Sequence, residues 1–181
     1  MVVGWGQCIE GEEVELWGVC YNIEETDSLD LSGSWDNSGE LTGEIPSEIG
    51  QLTNLTYLNL SYNQLTILPE SIGNLNSLEL LFLSYNQLIS LPESIGNLSS
   101  LEVLYLQDNQ LITLTESICN LPETCTVNMS NNYICSNFPS CINWLTEQNC
   151  EEIECPEGYF STSENCYYQS DLDVLQIFID L

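Results

Sequence analysis

The chain has 181 residues, of which 28 are Asp or Glu and none is Lys, Arg or His, so its formal charge is -28 at pH 7 and no side-chain ion pair can form within it. Such a surface repels polyanions, which argues against nucleic acid or an anionic membrane as a partner without a bridging metal. Without His there is no base for Ser-His-Asp chemistry, and among so many carboxylates no pair is singled out for glycoside hydrolysis; no catalytic residue is assigned and the chain reads as a non-enzyme.

Residues 1–25 form the first segment. MVVGWGQC has neither a basic nor an apolar region of the kind a signal peptide needs, so the chain reads as a mature form or an excerpt. Of nine cysteines, Cys8 and Cys20 stand apart from the rest, and a bridge between them would close one end of a core.

Residues 26–123 are repetitive. A unit of 23 residues recurs three times between Leu55 and Thr124. The first copy places Leu55, Leu58, Leu60, Asn63, Leu65, Leu68, Pro69, Ile72 and Leu75 at the offsets that Leu78 to Leu98 and Leu101 to Leu121 repeat, with Thr115 in place of Pro in the last. The alternating leucines predict a short strand with one inward face. Asn63, Asn86, Asn109 and Asn132 are expected to point inward as a ladder that satisfies buried turns. No single unit can bury its apolar side alone, so neighbours must stack and share one core. Upstream, Thr26, Leu29 and Leu31 and then Leu41, Ile45, Pro46, Ile49 and Leu52 make an altered copy, and a turn-rich insertion containing Trp35, Asp36 and Asn37 is expected to bulge from its edge.

The pattern LxxLxLxxNxL followed by xxLPxxIxxL resembles the leucine-rich repeat family. LTGEIPSEIGQL resembles the plant-type signature LxGxIPxxIGxL of extracellular receptor ectodomains, inhibitors and some bacterial surface proteins. The resemblance implies an α/β solenoid: a curved parallel sheet on the concave side, 3₁₀ or polyproline turns on the convex side, and disulfide-closed caps. Residues 124–150 read as a degraded last repeat (Thr124, Val127, Met129, Asn132, Ile134) followed by a second cap, and residues 151–181 as a small cysteine-bounded tail. NNYICSNFPSC resembles the NxLCxxxPxxC ending of such proteins, which implies Cys135–Cys141. Cys155 and Cys166 would bound a separate loop, and a Cys119–Cys150 bridge would tie the cap to the last repeat, leaving an odd cysteine. Zinc spacing of the CxxC type is absent, and the metal question stays open. No cofactor is expected; DNSGELTGE has calcium-loop residue types without the EF-hand spacing. Bridges on this scale imply an oxidising compartment, hence an extracellular or cell-surface location. No apolar run is long enough to cross a membrane. Sequons at Asn54, Asn59, Asn97 and Asn128 fall partly on the strand face, which favours a host that leaves them bare.

With the leucines inward, alternation sends two columns outward: Ser28, Tyr57, Leu80, Val103, Thr126, and Asp30, Asn59, Phe82, Tyr105, Asn128. Ser32, Ser61, Ser84, Gln107 and Ser130 flank them, followed by Tyr62, Tyr85, Asp108 and Asn131. The ligand-binding face is therefore expected at Tyr57, Asn59, Tyr62, Leu80, Phe82, Tyr85, Val103, Tyr105 and Asp108. An exposed aromatic patch with a polar rim is the footprint of a protein contact. A carbohydrate suits the same Tyr, Asn, Asp and Ser chemistry. The alternative class is a structural subunit that stacks by self-association into a filament or surface layer. Crowded carboxylates should raise one another's pKa, so that stability rises on mild acidification.

Overall fold

The computed structural model describes residues 8–34, 41–134 and 138–142, together with two strands at 159–162 and 165–168. The readings for Asp36, for the 35–40 insertion and for the Cys155–Cys166 loop lie outside the described residues.

The chain begins with an antiparallel hairpin, β1 (Glu13–Leu16) and β2 (Val19–Asn22). Its two-residue turn is Trp17-Gly18, both at positive φ (48° and 82°), the conformation that matches the twist of the flanking strands. Val14 and Leu16 point down and are buried, covering the open end of the core, and Cys8 is bridged to Cys20.

Five short strands follow in one parallel sheet: β3 (Ser28–Asp30), β5 (Tyr57–Asn59), β7 (Leu80–Phe82), β8 (Val103–Tyr105) and β9 (Thr126–Asn128). The register puts Leu29, Leu58, Leu81, Leu104 and Val127 side by side, and the residues before and after them into the two outward columns. Leu58, Leu81 and Leu104 have no exposed surface, and with Leu55, Leu60, Ile72 and Leu75 and their counterparts they form one continuous core. Each such side chain contributes about 1.5–3 kcal/mol by leaving water.

The convex layer consists of 3₁₀ turns, Ser47–Gln51, Glu70–Asn74, Glu93–Asn97 and Glu116–Asn120. Pro46, Pro69 and Pro92 precede the first three; a fixed φ and a missing N–H cost nothing at such a position. Thr115 takes the proline's place in the fourth, and its hydroxyl accepts from the Ser117 N–H, so the departure from the repeat supplies a cap of its own.

A second parallel pair went unread in the sequence: β4 (Thr42–Glu44) lies beside β6 (Gln64–Ile67). The bonding continues down the stack, with Gln87 N–H donating to Leu65 O at 2.8 Å and Gln110 N–H to Leu88 O at 2.9 Å. Gly43 sits at φ 76°, which explains the glycine of LTGEIP. The remaining strands, β10 (Tyr159–Thr162) and β11 (Asn165–Tyr168), form an antiparallel hairpin.

The far end corrects two expected bridges. Cys141 is joined to Cys119, not to Cys135, and Cys119 is therefore not joined to Cys150. The two are 22 residues apart, close to one repeat, and stacking sets one repeat on the next. Cys119 occupies the place that Gly50, Gly73 and Gly96 hold in earlier units, where a Cβ would come within 2.2–2.6 Å of the following repeat. At the end of the array the approach changes, and the cysteine reaches across to the cap.

Candidate functional site

The site is built on the Asn ladder. Asn86 Nδ2 donates to the carbonyls of Leu60, Leu83 and Ser84 at 2.9, 3.1 and 3.3 Å, and its Oδ1 accepts from Leu65 N–H at 3.0 Å. Asn63, Asn109 and Asn132 do the same in their own units, accepting from the Leu41, Leu88 and Leu111 N–H groups. Each side chain thus joins the turn after one strand to its neighbours, and the outward residues are held in rigid columns.

Outside that ladder the backbone at the next column is left-handed in four successive units. Tyr62, Tyr85, Asp108 and Asn131 have φ of 59°, 55°, 58° and 56°. Asp and Asn tolerate this conformation, whereas a tyrosine there costs roughly 1 kcal/mol or more. This feature escaped the sequence reading, although an Asp and an Asn in a column that otherwise holds two tyrosines is the signal that carried it.

The aromatic side chains pack against one another. Tyr57 and Phe82 have ring centroids 5.6 Å apart, tilted by 52°; Phe82 and Tyr105 are 5.3 Å apart and nearly perpendicular. Tyr62 and Tyr85 lie 4.4 Å apart at an interplanar angle of 8°. Leu80 and Val103 continue the Tyr57 column and are half-buried. Such pairs are worth about 0.5–1.5 kcal/mol each beyond burial. Asn59 is brought to the same face, where its Oδ1 accepts from Ser61 N–H at 3.1 Å and so also closes a turn. Asp30 and Asn128 do likewise with Ser32 and Ser130.

The flanking serines differ from expectation. Ser61 and Ser84 are 6% and 5% exposed, with their hydroxyl oxygens 3.3 Å apart, so they belong to the interior and not to the rim. Their bulkier counterpart Gln107 leaves its buried Oε1 without a hydrogen-bond partner.

Two clefts open on this face. One, of about 420 Å³, is lined by Tyr57, Phe82 and Tyr62 together with Ser32, Ser34 and Asn59. The other, of about 410 Å³, is lined by Asn63, Gln64, Tyr85, Asn86, Gln87 and Asp108. Asp108 Oδ1 accepts from Asn131 Nδ2 at 2.8 Å. The carboxylate of Asp108 beside the Tyr85 hydroxyl, with Tyr62 next to it, pushes the Tyr85 pKa up.

Two carboxylates move opposite to the expected direction. Asp30 is held below its ordinary value by the Ser32 hydroxyl, and Glu70 by Ser94, whose N–H donates to it at 3.0 Å. Hydrogen bonding to the charged form outweighs crowding at both. A third cleft, at the end of the array, is lined by Cys119, Cys125, Cys141, Met129 and Ile142 among others. Cys125 is a free thiol there, and burial pushes its pKa up to about 11.

Residues 29–170 match a family model described as a leucine-rich repeat region. Among solved structures, the chain is similar to a leucine-rich repeat protein of Leptospira interrogans, at 40% identity and TM-score 0.47 over 49% of this chain and 23% of that one. It is similar to the BIR3–SERK2 complex from Arabidopsis thaliana, at 34% identity and TM-score 0.48 over 59% of this chain and 54% of that one. A further similarity, at 33% identity and TM-score 0.40, is to the ectodomain of the Arabidopsis thaliana receptor kinase GASSHO1/SCHENGEN3 in complex with CASPARIAN STRIP INTEGRITY FACTOR 2, over 50% of this chain and 14% of that one. The chain thus spans less than two thirds of each of these. No curated protein matches it.

Proposed function

The chain belongs to the leucine-rich repeat family, and from that premise we propose that it is an extracellular recognition module that binds a protein partner through the outward face of the five-stranded sheet and catalyses nothing. The observation that carries this reading is the run of aromatic side chains on that face. The inward leucines already fill the core, so Tyr57, Phe82, Tyr105, Tyr62 and Tyr85 are not needed for it. Instead they make a rigid apolar surface with a polar rim, in which little side-chain entropy is left to lose on binding. The two bridges, Cys8–Cys20 and Cys119–Cys141, support an oxidising compartment.

The test is selection of peptides from a displayed random library on the oxidised chain. Peptides are expected to be enriched whose binding disappears in Phe82→Asp and in Tyr105→Asp while both variants melt as the parent does. Selected peptides that bind both variants undiminished would refute the assignment of the face. Enrichment of nothing from the library, with binding of neutral oligosaccharides at the same face, would move the reading to carbohydrate.

A further inference from the structure

We propose that the cleft between Tyr85 and Asp108 is a subsite for a guanidinium or ammonium group, so that the partner is a protein segment carrying Arg or Lys; this rests on the reading of the outward sheet face as the binding surface. The first support is backbone strain that core burial does not offset. Tyr62 and Tyr85 occupy left-handed backbone positions at which the next two repeats use Asp108 and Asn131, residue types suited to it. Core burial does not offset that cost, since Tyr85 remains 39% exposed. What the two tyrosines gain is their parallel stack at 4.4 Å. Tyr62 covers one side of Tyr85, and the other side is turned toward the next repeat, where Asp108 stands.

The second support is the chemistry of the lining. In the cleft of about 410 Å³, the amides of Asn63 and Asn86 are committed to the ladder. Asp108 Oδ1 accepts from Asn131 but keeps its charge and its second oxygen, which with the Tyr85 ring and the Gln87 amide are what the cleft offers a ligand. A π face next to a carboxylate complements a planar cation, which stacks on the ring and donates to the oxygens. A partner anion would meet Asp108 and a surface of formal charge -28.

The third support is that the chain cannot fill this position itself. It contains no Lys, Arg or His, so the cation has to come from another molecule. The acids that precede the strands, Glu79 and Glu102, are exposed and add to the negative field of the chain.

The probe is a ten-residue peptide of alternating Arg and Ser, titrated calorimetrically in about 0.15 M salt, which screens diffuse attraction beyond roughly 8 Å. Beside it stands the same peptide with each Arg replaced by citrulline, which keeps the shape and removes the charge. The arginine peptide is expected to bind and the citrulline peptide not. Asp108→Asn and Tyr85→Ala should each weaken binding about tenfold, the first by loss of a charge-assisted hydrogen bond and the second by loss of the cation–π contact. Glu93→Gln removes an equal charge on the convex side and should leave binding unchanged. Equal weakening by Glu93→Gln would reduce the effect to diffuse charge and overturn the subsite, and so would equal binding of the citrulline peptide. If the arginine peptide fails while library-selected peptides still bind in a Phe82-dependent way, the subsite falls and the face stands; if neither binds, both fall.

Discussion

Gly73 lies so close to the following repeat that a Cβ on it would sit 2.6 Å from both the Ser94 Cβ and the Ser94 carbonyl oxygen. The same relation joins Gly50 to Ser71 and Gly96 to Ser117. None of the three has a positive φ, so their reason is proximity and not backbone freedom. Gly73→Ala is therefore expected to force adjacent 3₁₀ turns apart and to destabilise by about 1–3 kcal/mol, as overpacking does. A urea midpoint unchanged from the parent would show that the turns give way freely.

Asn86 makes three donor contacts and one acceptor contact in the interior. Asn86→Ala leaves the buried Leu65 N–H without its acceptor, while the Leu60, Leu83 and Ser84 carbonyls keep Asn63, Asn109 and the Tyr62 N–H as donors, at a cost of about 1–3 kcal/mol. Asn86→Asp keeps the acceptor but puts a charge against those carbonyls, and should be the worse of the two. Chemical denaturation ranks them, and an aspartate variant as stable as the parent would contradict the ladder.

The Cys119–Cys141 bridge closes a loop one repeat long at the end of the array. Replacing both by Ser should cost about 3 kcal/mol, from the entropy returned to the unfolded chain. Trypsin has no site in this sequence, so digestion with a Glu-specific protease under non-reducing conditions is the direct check; a Cys135–Cys141 peptide in its place would reverse the pairing.

Asp30 has a folded pKa below its ordinary value. The unfolded chain then takes up its proton first as pH falls, so the stability Asp30 contributes is present above the usual aspartate range and is lost as pH drops through it. Melts of the parent and of Asp30→Asn from about pH 6 to about pH 3 should converge at the acid end. Parallel curves would remove Asp30 from the account. The two carboxylates that shift thus oppose the rise in stability that crowding alone implies.

Cys125 has the reverse sign. Its pKa is raised to about 11, so the thiolate forms first in the unfolded chain and stability is lost as pH climbs from the ordinary thiol value of 9.0 toward 11. Tyr21, raised by burial, adds to the loss at the upper end. Cys125→Ala should soften the alkaline decline, and the native thiol should alkylate far more slowly at pH 8 than the unfolded one. Equal alkylation rates would place the thiol in open water.

The 23-residue period by itself determined the stacked strands, the inward leucines and the two outward columns, because strand alternation and the need to share a core leave one register that buries the recurring leucines of each regular unit. It also located Asn63, Asn86, Asn109 and Asn132. The tertiary structure alone decided whatever depends on distance between successive turns. The second sheet at Thr42–Glu44 and Gln64–Ile67 arises from backbone groups, which leave little trace in residue type. The burial of Ser61 and Ser84, the left-handed tyrosines and the partner of Cys141 follow from how closely one repeat lies on the next. That spacing is set by side chains a repeat apart, and a pattern read along the chain carries no measure of it.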